Sequence, residues 1–297
     1  MSSSAAPLEP RTVRVPGGGL LLTADVYGDP AAQAVVLLHG GGQTRHAWGG
    51  AAAAFARAGY YGVAVDLRGH GDSDWSPDGS YGMTEFAGDV RALSRAFTTA
   101  AGPPAFVGAS MGGLSIMVAV GETPADEQPA LARCVVLVDV APRIEAEGRD
   151  KILGFMAAGL RGFDTLEDAA DSIAAYIPHR PRPSDLSGLR KNLRQRADRR
   201  WYWHWDPRWM TGGMGVDGQT DEPPHERFLR AVAGLAVPTL LVRGGISDIV
   251  SEESVRELRE ALPSVEVVDI AEAGHMVAGD RNDVFNTAVI DFVARLA

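Results

Sequence analysis

The chain has 297 residues, 45% of them hydrophobic and 22% charged, enough apolar material for one large core or for a core carrying a sizeable insertion. Its formal net charge of -10 repels a polyanion on average, which argues against a nucleic-acid partner. A single cysteine, Cys134, leaves no intramolecular disulfide framework and no thiolate metal cluster, and reads as a small buried hydrophobe.

The opening "MSSSAAPLEPRT" has neither a basic start nor an apolar run, and no later stretch holds eighteen uninterrupted apolar residues. The expectation is a cytoplasmic chain without a membrane segment, with residues 1–10 a disordered tail. "TVRV" (12–15) and "LLLTADVYG" (20–28) flank "PGGG", a turn signal, and predict an antiparallel hairpin at a sheet edge. "AVVLLH" (34–39), "YYGVAVDL" (60–67), "PAFVGA" (104–109) and "CVVLVDV" (134–140) are too continuously apolar for half-solvated strands, so they predict buried ones. Helical stretches lie between them, among them the alanine-rich segment before Gly59 and "TEFAGDVRALSRAFTTA" (84–100). Such alternation specifies an α/β fold, a mostly parallel sheet with helices on both faces.

From residue 142 to 228 the alternation stops, and arginine, proline and tryptophan take over. Two helices are expected there, "TLEDAADSIAAYI" (165–177) with Thr165 as cap and "LSGLRKNLRQRA" (186–197), with no strand set of the insert's own. The segment reads as a mainly helical lid that divides the core into 11–141 and 229–297. Strands return at "PTLLVRG" (238–244) and "VEVVDI" (265–270), with helices at 251–262 and 281–296.

Chemistry concentrates at the strand ends. Gly108-Ala109-Ser110-Met111-Gly112 fits G-x-S-x-G, preceded by a buried strand and followed by a helix-compatible segment. A serine on so sharp a turn occupies strained backbone space, which is why small residues surround it. The turn also places the Met111 amide at a helix N-terminus, where an oxyanion is favoured. His39-Gly40-Gly41-Gly42 follows an early strand and offers Gly41 as the second oxyanion donor, with His39 as loop support. A serine nucleophile needs an imidazole to take its proton and a carboxylate to orient that imidazole. His275, in "GHMV", is the candidate base; Asp248, in "SDIVS", is the candidate acid, and Asp139 at an earlier strand end is its rival.

Together with "VDLRGHGDSD" (65–74), these stretches resemble the α/β-hydrolase fold family, in the branch of serine esterases, cofactor-free haloperoxidase-like proteins and epoxide hydrolases. Epoxide hydrolases carry aspartate where this chain has Ser110. The resemblance implies a serine hydrolase acting on a small carboxylic ester through Ser110, His275 and Asp248, with the Gly41 and Met111 amides as oxyanion hole and no metal or organic cofactor. A carbon–carbon bond hydrolase or lactonase would use the same triad, and a ligand receptor could share the fold. Arg68, His70 and Asp72 are expected to brace a loop. "RRWYWHWDPRWM" (199–210) holds four of the six tryptophans; an extended chain would put Trp201, Trp203 and Trp205 on one face, while a helix would bring only Trp201 and Trp205 together. With Gly42 they form either an apolar wall for an acyl group or ring, or an anchor of the lid; the chain itself is expected to be a monomer or homodimer.

Overall fold

Alternate residues of a strand face opposite sides of a sheet, so a strand apolar at every position needs cover on both faces. The computed structural model, which describes residues 8–178, 182, 184–211, 224–271, 273–275 and 282–296, supplies that cover. Val35 and Leu37 of one strand face one apolar core while Val36 and Leu38 face the other. The first hairpin is β1 (Arg11–Pro16) and β2 (Leu21–Tyr27); the buried strands are β3 (Ala34–Leu38), β4 (Tyr61–Val65), β5 (Ala105–Ala109) and β6 (Cys134–Val138). Between them run α1 (Gly49–Arg57), α2 (Met83–Phe97), α3 (Met111–Gly121) and the short α4 (Gln128–Leu131).

The insert follows β6. It comprises α5 (Ala146–Ala158), α6 (Leu166–Tyr176), a two-stranded antiparallel ribbon of β7 (Leu193–Gln195) and β8 (Trp201–Trp203), α7 (Arg208–Thr211) and α8 (Pro224–Ala233), which runs through residue 228. The core then closes with β9 (Thr239–Gly244), α9 (Glu252–Ala261), β10 (Glu266–Ile270) and α10 (Asn282–Ala294). The eight-stranded sheet has the order β1-β2-β4-β3-β5-β6-β9-β10, parallel except for the β1–β2 and β2–β4 pairs. Of the expected disordered tail, residues 1–7 lie outside the described residues, and β1 begins at Arg11.

Thr165 caps α6 as its sequence implies, in a reciprocal pair with Asp168: the Asp168 amide donates to Thr165 Oγ1 at 3.1 Å and the Thr165 amide to Asp168 Oδ2 at 3.0 Å. The helix expected over 186–197 does not form. A 3-10 turn covers Ser187–Lys191, and the chain then extends into β7, so the insert does have strands of its own. Pairing with the tryptophan-bearing β8 overrides helical spacing here, and Arg199, at φ 66°, turns the chain between the two strands.

Candidate active site

Parallel register brings the ends of β3, β5, β6, β9 and β10 to one edge of the sheet, where open α/β sheets place their ligands. Ala109 pairs with Val138 and Val138 with Val242, so the residues after β5 and β6 sit side by side. Ser110 follows β5 at φ 46°, ψ -117°, a conformation that L-residues rarely hold. Its amide donates to Val138 O at 3.3 Å and its carbonyl accepts from the Leu114 amide at 2.9 Å, which fixes the turn from both sides. Gly112 is required by contact: a Cβ there would stand 2.5 Å from Leu38 O.

Asp139 follows β6 and is the second strained residue of the site, at φ 47° and fully buried. Its carboxylate is completely engaged. Oδ1 accepts from the Gly244 amide at 2.9 Å, while Oδ2 accepts from Ser247 Oγ at 2.6 Å and from His275 Nδ1 at 2.8 Å. The acid expected from sequence, Asp248, is therefore not the partner of His275. Its side chain is about half exposed and pairs with Lys151 of α5 at 2.9 Å. The β9 loop turns Ser247 inward and Asp248 outward. Ser247 Oγ also accepts from the Ile249 and Val250 amides at 3.1 and 3.2 Å, locking that orientation.

Ser110 and His275 line one cavity of about 630 Å³, together with Gly41, Gly42 and Met111. Buried histidines shape the glycine loop at its edge. The Gly42 amide donates to His70 Nε2 at 3.2 Å and the Gly40 amide to Gln43 Oε1 at 3.1 Å; the Gly41 amide between them makes no hydrogen bond among the described residues. His39 donates from Nδ1 to Gly40 O at 2.8 Å and accepts the Leu67 amide at Nε2, a neutral tautomer in a structural role. Arg68 grips Asp89 through two hydrogen bonds of 2.6 and 2.7 Å, and Asp72 pairs with Arg45 at 2.7 Å. The run from Arg68 to Asp72 thus braces the loop.

A model of the alpha/beta hydrolase fold matches residues 33–281. The chain belongs to the α/β-hydrolase family. Among the relatives of this hydrolase is the esterase Rv0045c of Mycobacterium tuberculosis, 31% identical over 280 residues that span 92% of this chain and 85% of the relative. Another is 2-(acetamidomethylene)succinate hydrolase of Mesorhizobium japonicum, 28% identical over 78% of this chain and 77% of that one. A crystal structure of the Mycobacterium tuberculosis esterase superposes with a TM-score of 0.73 at 28% identity, covering 98% of this chain and 93% of that one. A crystal structure of E-2-(acetamidomethylene)succinate hydrolase reaches 0.80 at 23% identity over 96% and 100%, a likeness of fold. The family and these relatives make the chain an enzyme, a hydrolase.

Of the tryptophans read from sequence as either a cavity wall or an anchor of the lid, Trp203 and Trp205 line the cavity. Trp201 is a correction. It shares the buried face of β8, yet it bridges to Phe163 and lies under the Arg190 guanidinium at 4.7 Å, away from the cavity lining. Trp209, not singled out from sequence, takes its place: a Cβ on Gly41 would stand 2.6 Å from its ring. The tryptophan strap is tied to the core, because the Gly71 amide donates to His204 O and the Asp206 amide to Gly69 O, each at 2.8 Å, and Tyr81 donates its hydroxyl to Asp206 at 2.6 Å. No helix of the described residues is long and apolar enough to cross a membrane.

The buried histidines give the fold an acid limit. Burial pushes His39 down to about 4, burial and the neighbouring His39 push His70 down to about 3, and burial with Arg194 pushes His204 down to about 4. The unfolded chain protonates these imidazoles near their ordinary 6.5, whereas the folded chain resists until lower pH. Stability is therefore full above about 6.5 and is lost as pH falls toward the folded values. Between pH 6 and 5 the unfolding free energy is expected to drop by at least about 1.4 kcal/mol per unit, the equivalent of one proton. Urea unfolding in a buffer series checks it, and a flat profile would contradict the neutral, buried assignment.

Proposed function

We propose that Ser110, His275 and Asp139 form a catalytic triad and that the protein hydrolyses carboxylic esters by two-step acyl transfer. The observation that carries this reading is a serine on a strained strand-to-helix turn sharing one cavity with a histidine whose Nδ1 is held by a buried carboxylate. With Nδ1–H on Asp139, the neutral ring keeps Nε2 as its acceptor. Nε2 takes the Ser110 proton as Oγ attacks the carbonyl, and the same proton passes to the leaving alcohol as the carbon–oxygen bond breaks. Water then attacks the acyl-enzyme with His275 again as base, releasing the acid and restoring Ser110. The amides of Gly41 and Met111 are assigned to the oxyanion, and the insert that roofs the cavity is assigned the role of lid.

The esterase among the relatives supports ester chemistry; the succinate-derivative hydrolase raises the alternative of a carboxylate-bearing substrate. A fluorophosphonate probe followed by peptide mapping tests the nucleophile. One label per chain on Ser110 is expected, with loss of labelling in His275→Ala. Label elsewhere, or none, would refute the assignment.

A further inference from the structure

The charges and polar groups around the cavity define what it accepts. Arg149, on its rim, is paired with the adjacent Asp150 at 2.9 Å, both side chains more than half exposed. His225 bonds Glu257 at 3.0 Å, and Glu257 also faces Arg143 at 3.3 Å. The amide oxygens of the neutral polar groups are engaged: Gln43 Oε1 accepts the Gly40 amide, and Asn192 Oδ1 accepts Thr44 Oγ1 at 2.7 Å. No described cavity-lining cation is left without an acidic partner. The donors without a hydrogen bond among the described lining residues are neutral: the buried indole N–H groups of Trp203 and Trp209, the side-chain amide nitrogens of Gln43 and Asn192, and the Gly41 amide.

Much of the lining is apolar. Part is aromatic: Phe155 stacks on Tyr176 at 4.3 Å and meets Trp203 edge-on at 5.4 Å, and Trp205 meets Trp209 edge-on at 5.8 Å. Part is aliphatic, with Ile144, Ile152, Leu153 and Ile173 of the insert. A pocket of about 630 Å³ is of the size that buries most of a drug-sized ligand, so both halves of an ester would leave water.

We propose that the substrate is an uncharged ester whose acyl and alcohol parts are both apolar, aliphatic or aromatic, and that esters bearing a carboxylate are rejected. This deepens the Ser110 reading and rests on it. A carboxylate drawn into this cavity would lose its hydration with no unpaired cation among the described lining residues to replace it, whereas each methylene gains from burial.

The test compares p-nitrophenyl butanoate, hexanoate and octanoate with p-nitrophenyl hemiadipate and its methyl ester, above the carboxylate's pKa. The last two differ essentially in charge. Expected is a several-fold rise in kcat/KM per added methylene until the cavity is filled. The methyl ester should be hydrolysed at least about 100-fold faster than the free hemiadipate. Comparable rates for those two would overturn the inference. So would fluorophosphonate labelling of Ser110 without turnover of any neutral ester, although the nucleophile would then stand. Absence of both labelling and turnover would sink the Ser110 reading, and this inference with it.

Discussion

Ester turnover by Ser110→Ala is expected to fall by roughly a millionfold in kcat, as when the nucleophile of a triad is removed and only the oxyanion donors and binding remain. The fold should be unaffected. Alanine meets the same backbone strain at φ 46° as serine does, and the turn is held by main-chain bonds to Val138 and from Leu114 that the substitution leaves in place. Ser110→Gly separates the two effects. It removes the same hydroxyl but relieves a conformation that costs an L-residue about 1–3 kcal/mol, against a loss of roughly 0.5–1 kcal/mol from glycine's freedom in the unfolded chain. Glycine is therefore expected to match or exceed the wild-type melting temperature while being as inactive as alanine. Turnover near the wild-type rate in either variant would remove Ser110 from the chemistry; a large loss of stability in both would make the turn structural.

Ser110 and Asp139 are two of the three non-glycine residues with positive φ among the described residues, and both stand directly after central strands at one sheet edge. Strain concentrated there identifies positions that the surrounding fold over-determines. The third, Arg199, serves the β7–β8 turn.

The strands were legible because burial on both faces demands unbroken apolar runs, and "CVVLVDV" or "AVVLLH" has few other uses. Ser110 and the glycine loop were legible because tight turns admit few residue types. Which of Asp139 and Asp248 bonds His275 was not, since chain order permits either and the path of the β9 loop turns Asp248 toward Lys151 instead. One position separates the inward Ser247 from the outward Asp248, and that difference depends on the Ile249 and Val250 amides closing on Ser247 Oγ. The β7–β8 ribbon was hidden for a related reason: residues 186–197 have helix-compatible spacing, and the partner strand that overrules it begins several residues later. Alternation would place Trp201 with Trp203 on one face only in an extended chain, which β8 is, and a shared face does not say which end of it borders the cavity.

The acid is best separated by a pair of isosteric substitutions. Asp139→Asn keeps the volume but removes the charge that holds Nδ1–H, and the amide would favour the tautomer with its proton on Nε2, where it blocks uptake of the Ser110 proton. A loss of roughly ten-thousandfold in kcat is expected, with KM little changed because Asp139 lies behind His275, away from the substrate. Asp248→Asn removes an exposed ion pair with Lys151, a contact of about 0–1 kcal/mol, and should alter kcat by less than about threefold. Ser247→Ala falls between them. It takes one of two donors from Asp139 Oδ2 and frees the loop amides, which loosens the carboxylate that holds His275, so kcat should fall, by less than in Asp139→Asn. Steady-state kinetics on the three variants decide the matter: Asp248→Asn the more damaging of the two aspartate changes would return the acid's role to Asp248, and an unchanged kcat in Ser247→Ala would reduce Ser247 to a structural link.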